Sequence, residues 1–401
     1  MFKSFVEKYF SGLTKNSILL AFASLFSDIS TEMLYPILPV YLTEYLKANG
    51  SIVGIIEGIA QATQNIIQGV SGWLSDKLQQ RKPIALVGYF LSAVSKPFMG
   101  LANTWQLVLA ARFSDRVGAG SRSAPRDALL AESVEPQHRG KAFGLEGIGD
   151  NLGAFLGPLI TVLLFFSLQF DIHTIFYLAI IPGLLAFLMV MLVKEKKVSA
   201  AARSKVNLHM SQFPKTYWRY LIVTCLFGIG NSSNAFLILD VREKGLSLHT
   251  TIFVYAFYNL VAALISYPAG SLSDKFGRKP LLLISFAVFL VTYLGFAFSS
   301  DILLTGFLFV FYGLFQGVFR ACGKSYAADF VPAHLRASGI GWYSTVVGLS
   351  GLVASVIAGG LWDRVSHTSV FVYGSVLSLV GIISLIALVP NNLKSPGQSR
   401  T

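Results

Sequence analysis

The sequence predicts an all-α polytopic membrane protein, with twelve transmembrane helices in two pseudo-symmetric halves of six. Composition is the first reason: 54% of the 401 residues are apolar and 13% are charged, whereas soluble domains average about 25% charged residues. Length is the second, because twelve crossings of ~20 residues would use ~240 residues and leave short loops. The third is a sequence repeat between the halves.

Twelve apolar runs, separated by charged or Pro- and Gly-rich breaks, predict the spans. They cover residues 16–46, 52–75, 83–103, 105–131, 140–168, 172–194, 217–240, 250–273, 280–299, 302–329, 337–362 and 367–390. The longest polar gap separates spans 6 and 7. The predicted organisation is a cytoplasmic N-terminal segment (1–15), a six-helix half (16–194), a cytoplasmic linker (195–216), a second six-helix half (217–390) and a cytoplasmic tail (391–401).

The basic residues predict the orientation. When bases at the span ends are counted with the adjoining loops, alternate loops place 21 of the 32 Lys and Arg residues on the side of both termini and 4 on the other side, and 7 lie deeper within spans. Because basic loops stay in the cytoplasm, both termini are predicted to be cytoplasmic, in a multi-pass protein of the cytoplasmic (inner) membrane. The formal charge of +12 is spread between apolar blocks, which predicts no nucleic-acid partner.

The chain lacks the signatures of an enzyme. Cys225 and Cys322 lie singly in apolar runs, which leaves no disulfide framework or metal-ligand spacing. Neither an HExxH zinc site nor a GxSxG nucleophile elbow is present, and the histidines are scattered. We therefore expect no catalytic residues, metal or cofactor.

A short motif recurs in the two halves. Gly72, Asp76 and Lys77 reappear as Gly270, Asp274 and Lys275, at an offset of 198 residues. The basic sequences that follow, 81–83 and 278–280, also match. Repeats at equivalent points of two six-span halves are typical of secondary transporters.

These residues resemble the major facilitator superfamily of secondary transporters over nearly the whole chain. The family's motif between spans 2 and 3 has a Gly and, four residues on, an Asp, followed by a basic cluster. It is matched by Gly72, Asp76, Lys77, Arg81 and Lys82, and more closely by Gly270, Asp274, Lys275, Gly277, Arg278 and Lys279. In the first copy, Gln79 and Gln80 replace the usual Gly.

Two further motifs of the family are incomplete. Span 4 keeps Arg112 and Gly118, but Asp115 and Arg116 stand at the family's Gln and Gly positions. Span 5 keeps part of the motif of drug and proton antiporters, in residues 153–158. The resemblance implies alternating access, with spans 1, 4, 7 and 10 around a central cavity.

Ionisable residues inside the spans are candidates for proton coupling, because a charge at the bilayer centre costs ~2.5–3.5 kcal/mol. The ion-pair candidates are Asp28, Glu32, Glu57, Arg112, Asp115, Arg116 and Asp150. Depth along the helices predicts two tiers of pairs, Asp28 with Arg116, and Glu32 or Glu57 with Arg112. The alternative is that such pairs only hold the first half together.

Charged residues at the predicted cytoplasmic ends are candidates for gating. They are Asp76, Lys77, Arg122, Arg126, Asp127, Asp274, Arg278, Arg320 and Lys324. Lys77 is expected to pair with Asp127 or Glu132. The bases of spans 4 and 10 are expected to close a gate against nearby acids, or alternatively to hold an anionic substrate.

Polar and aromatic residues of several spans are candidates for solute binding. They are Gln61, Gln64, Asn65, Asn231, Asn234, Tyr255, Tyr258, Asn259, Gln316 and Trp342. Amides and rings suit a mid-sized amphipathic or polyhydroxylated solute. The alternative is that they bond across packed helices.

The sequence thus predicts a secondary active transporter of a small organic solute. We expect proton coupling, and the partial span 5 motif favours export. The expected partners are a small-molecule substrate, protons and the lipid bilayer, for a chain that acts as a monomer. The alternatives are uptake or exchange of an anionic solute or siderophore, and a non-transporting membrane sensor.

Overall fold

The computed structural model describes residues 12–78, 80–135, 138–195, 213–332 and 336–390. Its regular structure within these ranges is entirely helical, which confirms the all-α prediction. The tail 391–401, most of the predicted linker and most of the predicted N-terminal segment lie outside the described residues.

Helices occupy all twelve predicted spans. Those of the first six are Lys15–Glu32, Leu38–Val40 and Tyr41–Tyr45 in span 1, Gly50–Leu78 in span 2, Arg81–Gly100 in span 3, Trp105–Ser133 in span 4, Arg139–Val162 and Leu163–Ser167 in span 5, and Ile172–Leu178 and Ile180–Leu192 in span 6. The others are Lys215–Gly228 and Ala235–Glu243 in span 7, Leu248–Phe276 in span 8, Arg278–Phe298 in span 9, Ile302–Asp329 in span 10, Arg336–Arg364 in span 11 and His367–Leu388 in span 12.

When the adjoining helices of spans 5 and 6 are taken together, seven helical stretches of the described chain are long and apolar enough to cross a membrane on length and composition alone. They belong to spans 5, 6 and 8 to 12. Spans 1 and 7 miss this criterion because each is interrupted, and spans 2 to 4 because polar or charged side chains lie within their helices.

The interruptions of spans 1 and 7 fall at equivalent positions of the sequence repeat. The first helix ends at Glu32 and resumes at Leu38, and the other ends at Gly228 and resumes at Ala235. Proline lacks a backbone donor, and short polar side chains compete for backbone hydrogen bonds, so Pro36 and residues 231–234 account for the two breaks. Interrupted helices at corresponding positions of two halves mark binding regions in transporters.

The contacts divide the described residues into two compact units. Unit 1 contains residues 12–37 and 67–195, and unit 2 contains residues 38–66 and 213–390. The end of span 1 and the first part of span 2 therefore pack with the second half of the sequence.

Glycines allow close helix packing inside unit 1. A Cβ on Gly88 of span 3 would lie 2.6 Å from the carbonyl oxygen of Gly118 in span 4. A Cβ on Gly153 of span 5 would lie equally close to the Leu25 carbonyl oxygen of span 1. Small residues of this kind bring membrane helices into contact, because lipid provides no hydrophobic force between them.

In unit 2 the start of span 2 is fixed to the end of span 11. Asp363 accepts hydrogen bonds from the backbone N–H groups of Gly50, at 2.8 Å, and Ser51, at 2.7 Å. Its carboxylate thereby satisfies donors that the first helical turn leaves open, and its charge complements the helix dipole. A Cβ on Gly359 would lie 2.5 Å from the Gly50 carbonyl oxygen, so glycine permits this approach.

The basic motif after spans 2 and 8 caps another helix in each unit. In unit 1, Lys82 Nζ donates to the carbonyl oxygens of Met191 and Val193 at the end of span 6, both at 2.7 Å. In unit 2, Lys279 Nζ donates to the Val389 carbonyl oxygen at the end of span 12, at 2.5 Å. A cation at a helix C-terminus satisfies free carbonyls and complements the dipole.

The contact between spans 3 and 4 predicts an effect of Gly88→Ala. The added methyl group would overlap the backbone of span 4, and we expect a loss of about 1–3 kcal/mol in the free energy of unfolding. Thermal unfolding in detergent measures it as a lower Tm. Gly147→Ala is the control, because a Cβ there meets nothing within 4 Å and favours the helix. An unchanged Tm for Gly88→Ala would contradict the expectation.

Candidate functional site

A buried cluster on spans 3 and 4 of unit 1 is centred on Asp115. One carboxylate oxygen accepts from Ser92 Oγ at 2.7 Å and lies 3.5 Å from Lys96 Nζ. The other lies 3.1 Å from Arg116 Nη2 and 3.6 Å from Arg112 Nη1. The side chains of Asp115, Lys96 and Arg112 are at most 3% exposed. One acid thus compensates three bases, and this arrangement binds span 3 to span 4.

A second cluster lies around Arg126, between spans 1, 4 and 5. Its guanidinium lies 2.8 Å from Glu146, 2.9 Å from Asp127 and 3.8 Å from Asp150. Ser24 of span 1 accepts from Arg126 at 2.7 Å and donates to Glu146 at 2.9 Å. In contrast to the Asp115 cluster, one base here serves three acids.

Asp28 and Arg122 lie next to this second cluster. Arg122 donates to Ser27 and lies 4.6 Å from the centre of the Tyr89 ring. Asp28 packs against Gly153 of span 5, and the charges near its carboxylate are those of Asp150, Arg122, Glu32 and Arg126.

One predicted ion pair is wrong. Arg116 contacts Asp115, its neighbour in the chain, whereas Asp28 lies beside Asp150 and Arg122. Depth along a helix gives the height of a side chain but not the direction in which it points, and these two residues share only height. Arg112 contacts Asp115 and the Tyr35 ring, and its pairing with Glu32 or Glu57 stays a prediction.

In unit 2, four solute-binding candidates and neighbours form one polar network. Tyr312 Oη donates to Asn234 Oδ1 at 2.7 Å, and Asn234 Nδ2 donates to Tyr258 Oη at 3.2 Å. Gln316 Nε2 donates to Tyr312 Oη at 3.3 Å, and the rings of Tyr255 and Tyr258 lie 5.5 Å apart. Spans 7, 8 and 10 thus present amides, hydroxyls and rings together.

The other solute-binding candidates lie apart from this network. Asn65 donates to the Gln61 carbonyl oxygen of its own helix at 2.8 Å, and Glu57 accepts from Ser233 at 3.4 Å. Trp342 packs on Trp218 near the start of spans 7 and 11. Three further candidates are partly or wholly buried: Gln64, Asn231 and Asn259.

The gating candidates form ion pairs within each unit. Arg278 contacts Asp329 and lies 3.2 Å from Asp274. In unit 1, Arg81 contacts Glu132. This pair is equivalent to Arg278 and Asp329, because Arg81 precedes Arg278 by 197 residues and Glu132 precedes Asp329 by the same number.

The pairing predicted for Lys77 is wrong. Its ammonium lies 4.9 Å from the Trp73 ring, whereas Arg81 and Arg126 contact the two acids. Arg320 and Lys324 are exposed, and the side chain of Asp76 lies outside the described part of the chain. A gating role of these residues stays a prediction.

Sequence reasoning missed several participants. Ser24 and Tyr312 lie four residues before the candidates Asp28 and Gln316, and Ser92 lies four residues before Lys96, a base within span 3, so helical spacing could have found them. Glu243 and His367 form a pair that no spacing indicates, because they follow different spans. Burial, with a smaller effect of Asp240, raises the pKa of Glu243 to about 7.

Comparison with known proteins decides the family. The profile of the Major Facilitator Superfamily matches residues 20–233 and 220–401. The chain belongs to the major facilitator superfamily. A relative in Methanocaldococcus jannaschii, described as an uncharacterized MFS-type transporter, is 34% identical over 381 residues, which are 93% of this chain and 95% of that protein. This superfamily member is therefore a transporter rather than an enzyme.

Further similarities of this superfamily member agree with that assignment. A probable 4-methylmuconolactone transporter of Cupriavidus pinatubonensis is 27% identical over 328 residues, 76% of this chain and 74% of the relative. The crystal structure of the nucleoside transporter NupG gives a TM-score of 0.77 at 14% identity, over 94% of this chain and 99% of NupG. That of a D-xylose-proton symporter gives 0.77 at 15% identity, over 97% and 100%. These structures confirm the predicted fold of twelve helices in two halves.

The Asp115 cluster predicts a large loss of stability for Asp115→Asn. The change leaves three buried bases without their shared carboxylate, and removing one partner of a buried ion pair costs about 3–5 kcal/mol. We expect a much lower Tm in detergent, or loss of folded protein on expression. Asp274→Asn, which removes an exposed carboxylate, should change Tm little. Equal effects of the two substitutions would contradict the structural role of Asp115.

Proposed function

We propose that this superfamily member is a secondary active transporter that couples the movement of a small organic solute to protons, by alternating access. It acts as a monomer in the cytoplasmic membrane, with both termini in the cytoplasm, as the distribution of basic residues indicates. The partial antiporter motif of span 5 favours export. Two similar proteins described as transporters of 4-methylmuconolactone and of D-xylose with protons support a small organic solute.

The carboxylates around Arg126 and Arg122 carry the proposal of proton coupling. Asp28, Asp127, Glu146 and Asp150 give four acids for two arginines within unit 1. Arginine stays protonated, so only the carboxylates exchange protons. Carboxylates that share so few cations bind and release protons as their distances from the cations change.

The contacts of Arg126 suggest how one proton changes the cluster. Ionised Glu146 holds the guanidinium at 2.8 Å, while Asp150 lies 3.8 Å from it. Protonation of Glu146 removes that attraction and leaves Asp127, on the same span as Arg126, and Asp150, on span 5, as the ionised partners. If Arg126 then moves towards Asp150, the contact between spans 4 and 5 shifts from Glu146 to Asp150, one helical turn further along span 5. Protonation of Glu146 would thereby change how the two spans pack.

The neutral network of unit 2 supports binding of an uncharged polar part of the solute. Asn234, Tyr258, Tyr312 and Gln316 offer amide and hydroxyl groups beside aromatic rings. Rings provide contact area and amides fix orientation.

Proton coupling predicts the behaviour of Asp28→Asn and Glu146→Gln. Both substitutions remove an exchangeable proton and keep the shape of the side chain. We expect each substitution to reduce uphill solute flux driven by a pH gradient at least about 10-fold, which corresponds to ~1.4 kcal/mol in free energy. Counterflow exchange at constant pH should continue. Reconstituted proteoliposomes allow both measurements on the same protein.

Asp171→Asn is the matched control, because Asp171 is exposed and caps a helix through Thr174, a role that Asn fulfils. The control should transport as the unmodified protein does. If Asp28→Asn and Glu146→Gln both keep gradient-driven flux, the carboxylate cluster does not couple protons.

Solute binding at the network predicts a weaker apparent affinity in Tyr312→Phe. The substitution removes the hydroxyl that orients Asn234 and Gln316, and a single hydrogen bond contributes about 0.5–1.5 kcal/mol. We expect KM for the transported solute to rise about 3- to 10-fold, with little change in maximal rate. Tyr45→Phe, at an exposed position, is the control. An unchanged KM would place the solute elsewhere.

A further inference from the structure

Span 10 carries a row of polar residues at intervals of four. Tyr312, Gln316, Arg320 and Lys324 follow one another at this spacing. Residues four apart lie on one face of a helix, about 6 Å apart along its axis. Gln316 Nε2 donates to Tyr312 Oη at 3.3 Å, so the first two members do share a face. The row is neutral at these two residues and cationic at the next two.

The cationic end of this row faces away from the lipid side of span 10. Leu303, Phe307 and Phe311 are 76%, 65% and 46% exposed, as apolar side chains in contact with lipid are. Arg320 follows Phe311 at a distance of about two and a half helical turns, so it lies on the opposite side of the helix. Arg320 and Lys324 are exposed, and charged side chains within a span face water rather than lipid. The row therefore lines a hydrated face of unit 2.

The two bases have counterparts in unit 1 that lie among acids. They correspond to Arg122 and Arg126 at the offset of 198 residues that relates spans 4 and 10. Arg126 has three acidic partners. Neutral residues occupy the positions of unit 2 that correspond to these acids: Ser325, at the offset of 198 from Asp127, and Tyr343 and Val347, at the offset of 197 that relates Arg139 to Arg336. At these positions unit 2 thus lacks the negative charge that unit 1 places beside its bases.

Tyrosine hydroxyls lie close to Lys324 instead of carboxylates. A Cβ on Gly323, the preceding residue, would meet Tyr343 Oη of span 11. Tyr220 Oη of span 7 donates to the Gly323 carbonyl oxygen at 3.0 Å, and its ring lies 6.1 Å from that of Tyr343. Lys324 belongs to none of the ion pairs that the described residues form. Spans 7, 10 and 11 thus bring cations and phenols together here, and both are donors for an anion.

We propose that Arg320 and Lys324 bind the phosphate group of an organic phosphate monoester, with the uncharged polar part of the same solute at Gln316 and Tyr312. This inference rests on the proposed function as a transporter of small organic solutes, and it names the class of solute. It places the charged end and the neutral end of the solute along one helix.

Charge and spacing together select this class of solute. A phosphate monoester carries a charge of about −1.5 to −2 at pH 7, which matches two bases. Side chains one turn apart on a helix have Cβ atoms about 5–6 Å apart, so both reach one phosphate group. The guanidinium forms parallel hydrogen bonds with two phosphate oxygens, and the ammonium adds a point charge. Gln316 lies about 6 Å further along the axis, within reach of a sugar or ring attached to the phosphate.

Binding to the purified full-length chain in detergent tests the site without reference to transport. The probes are ribose 5-phosphate and phenyl phosphate, with ribose as the neutral analogue of the first and benzoate as the monoanionic analogue of the second. The readouts are the binding isotherm and the Tm shift at neutral pH. We expect at least one phosphate probe to bind at least about 10-fold more tightly than its analogue, because hydrogen bonds to charged groups are strong.

Variants assign the binding to these residues. Arg320→Gln and Lys324→Gln should each reduce the affinity for the phosphate probe at least about 10-fold. Arg320→Lys and Lys324→Arg keep the charge and should lose less, which shows that a loss does not reflect misfolding. Gln316→Leu should weaken ribose 5-phosphate about 3- to 10-fold and leave the affinity for inorganic phosphate unchanged. The control is Arg364→Gln, at an exposed position at the end of span 11, which should bind as the unmodified protein does.

Three outcomes overturn the site: neither phosphate probe binds, the neutral or monoanionic analogue binds as tightly as its phosphate, or Arg320→Gln and Lys324→Gln both bind as tightly as the control. Flux in proteoliposomes separates this failure from that of the proposed function. Gradient-driven flux of another solute without phosphate binding rejects the site and supports proton-coupled transport. Phosphate binding that depends on Arg320 and Lys324, but no gradient-driven flux, supports the site and rejects the proposed coupling.

Discussion

The cost of an uncompensated charge in a low-dielectric interior is the constraint on which unit 1 depends. Spans 1, 3, 4 and 5 carry bases and acids that are stable at this depth only when they lie together. The glycine contact at Gly88 and Gly118 brings spans 3 and 4 close enough for Ser92 to donate to Asp115 at 2.7 Å. Close packing and charge pairing therefore support each other.

Within unit 1, the Asp115 cluster has one acid for three bases and the Arg126 cluster has one base for three acids, and the two clusters differ in role accordingly. Asp115 has three basic partners and is enclosed, so every change of its ionisation is opposed and it acts as a fixed brace. Arg126 has three acidic partners of unequal distance, two of which are more than a third exposed, so its contacts can be exchanged. Unit 2 resembles neither, because its central network at Asn234 is neutral and is ordered by aromatic packing.

The sequence predicts the helices, their number and the crowding of charges in the first half, because hydrophobic length and the cost of burial are local properties. It does not predict partners. Asp28 and Arg116 have similar depth, but the guanidinium of Arg116 lies against Asp115 of its own helix instead. Likewise, the sequence predicts that residues 38–66 belong to the first half, but the structure places them in unit 2. There Asp363, more than three hundred residues later, caps the start of span 2. Tyr312 escaped notice because a tyrosine in an apolar span is also an ordinary packing residue.

The lysine caps and the Asp363 cap have a consequence for the order in which the chain is assembled during synthesis. The carbonyl groups that Lys82 contacts lie 109 and 111 residues later in the chain, and the one that Lys279 contacts lies 110 residues later. Each lysine cap therefore forms only after the sixth span of its half has been synthesised. The first turn of span 2 waits much longer, for an acid 313 residues away. When the first half has been synthesised, Asn49 already accepts from the Ile52 N–H group. The N–H groups of Gly50 and Ser51 receive their acceptor, Asp363, only from span 11, almost the last helix to enter the membrane.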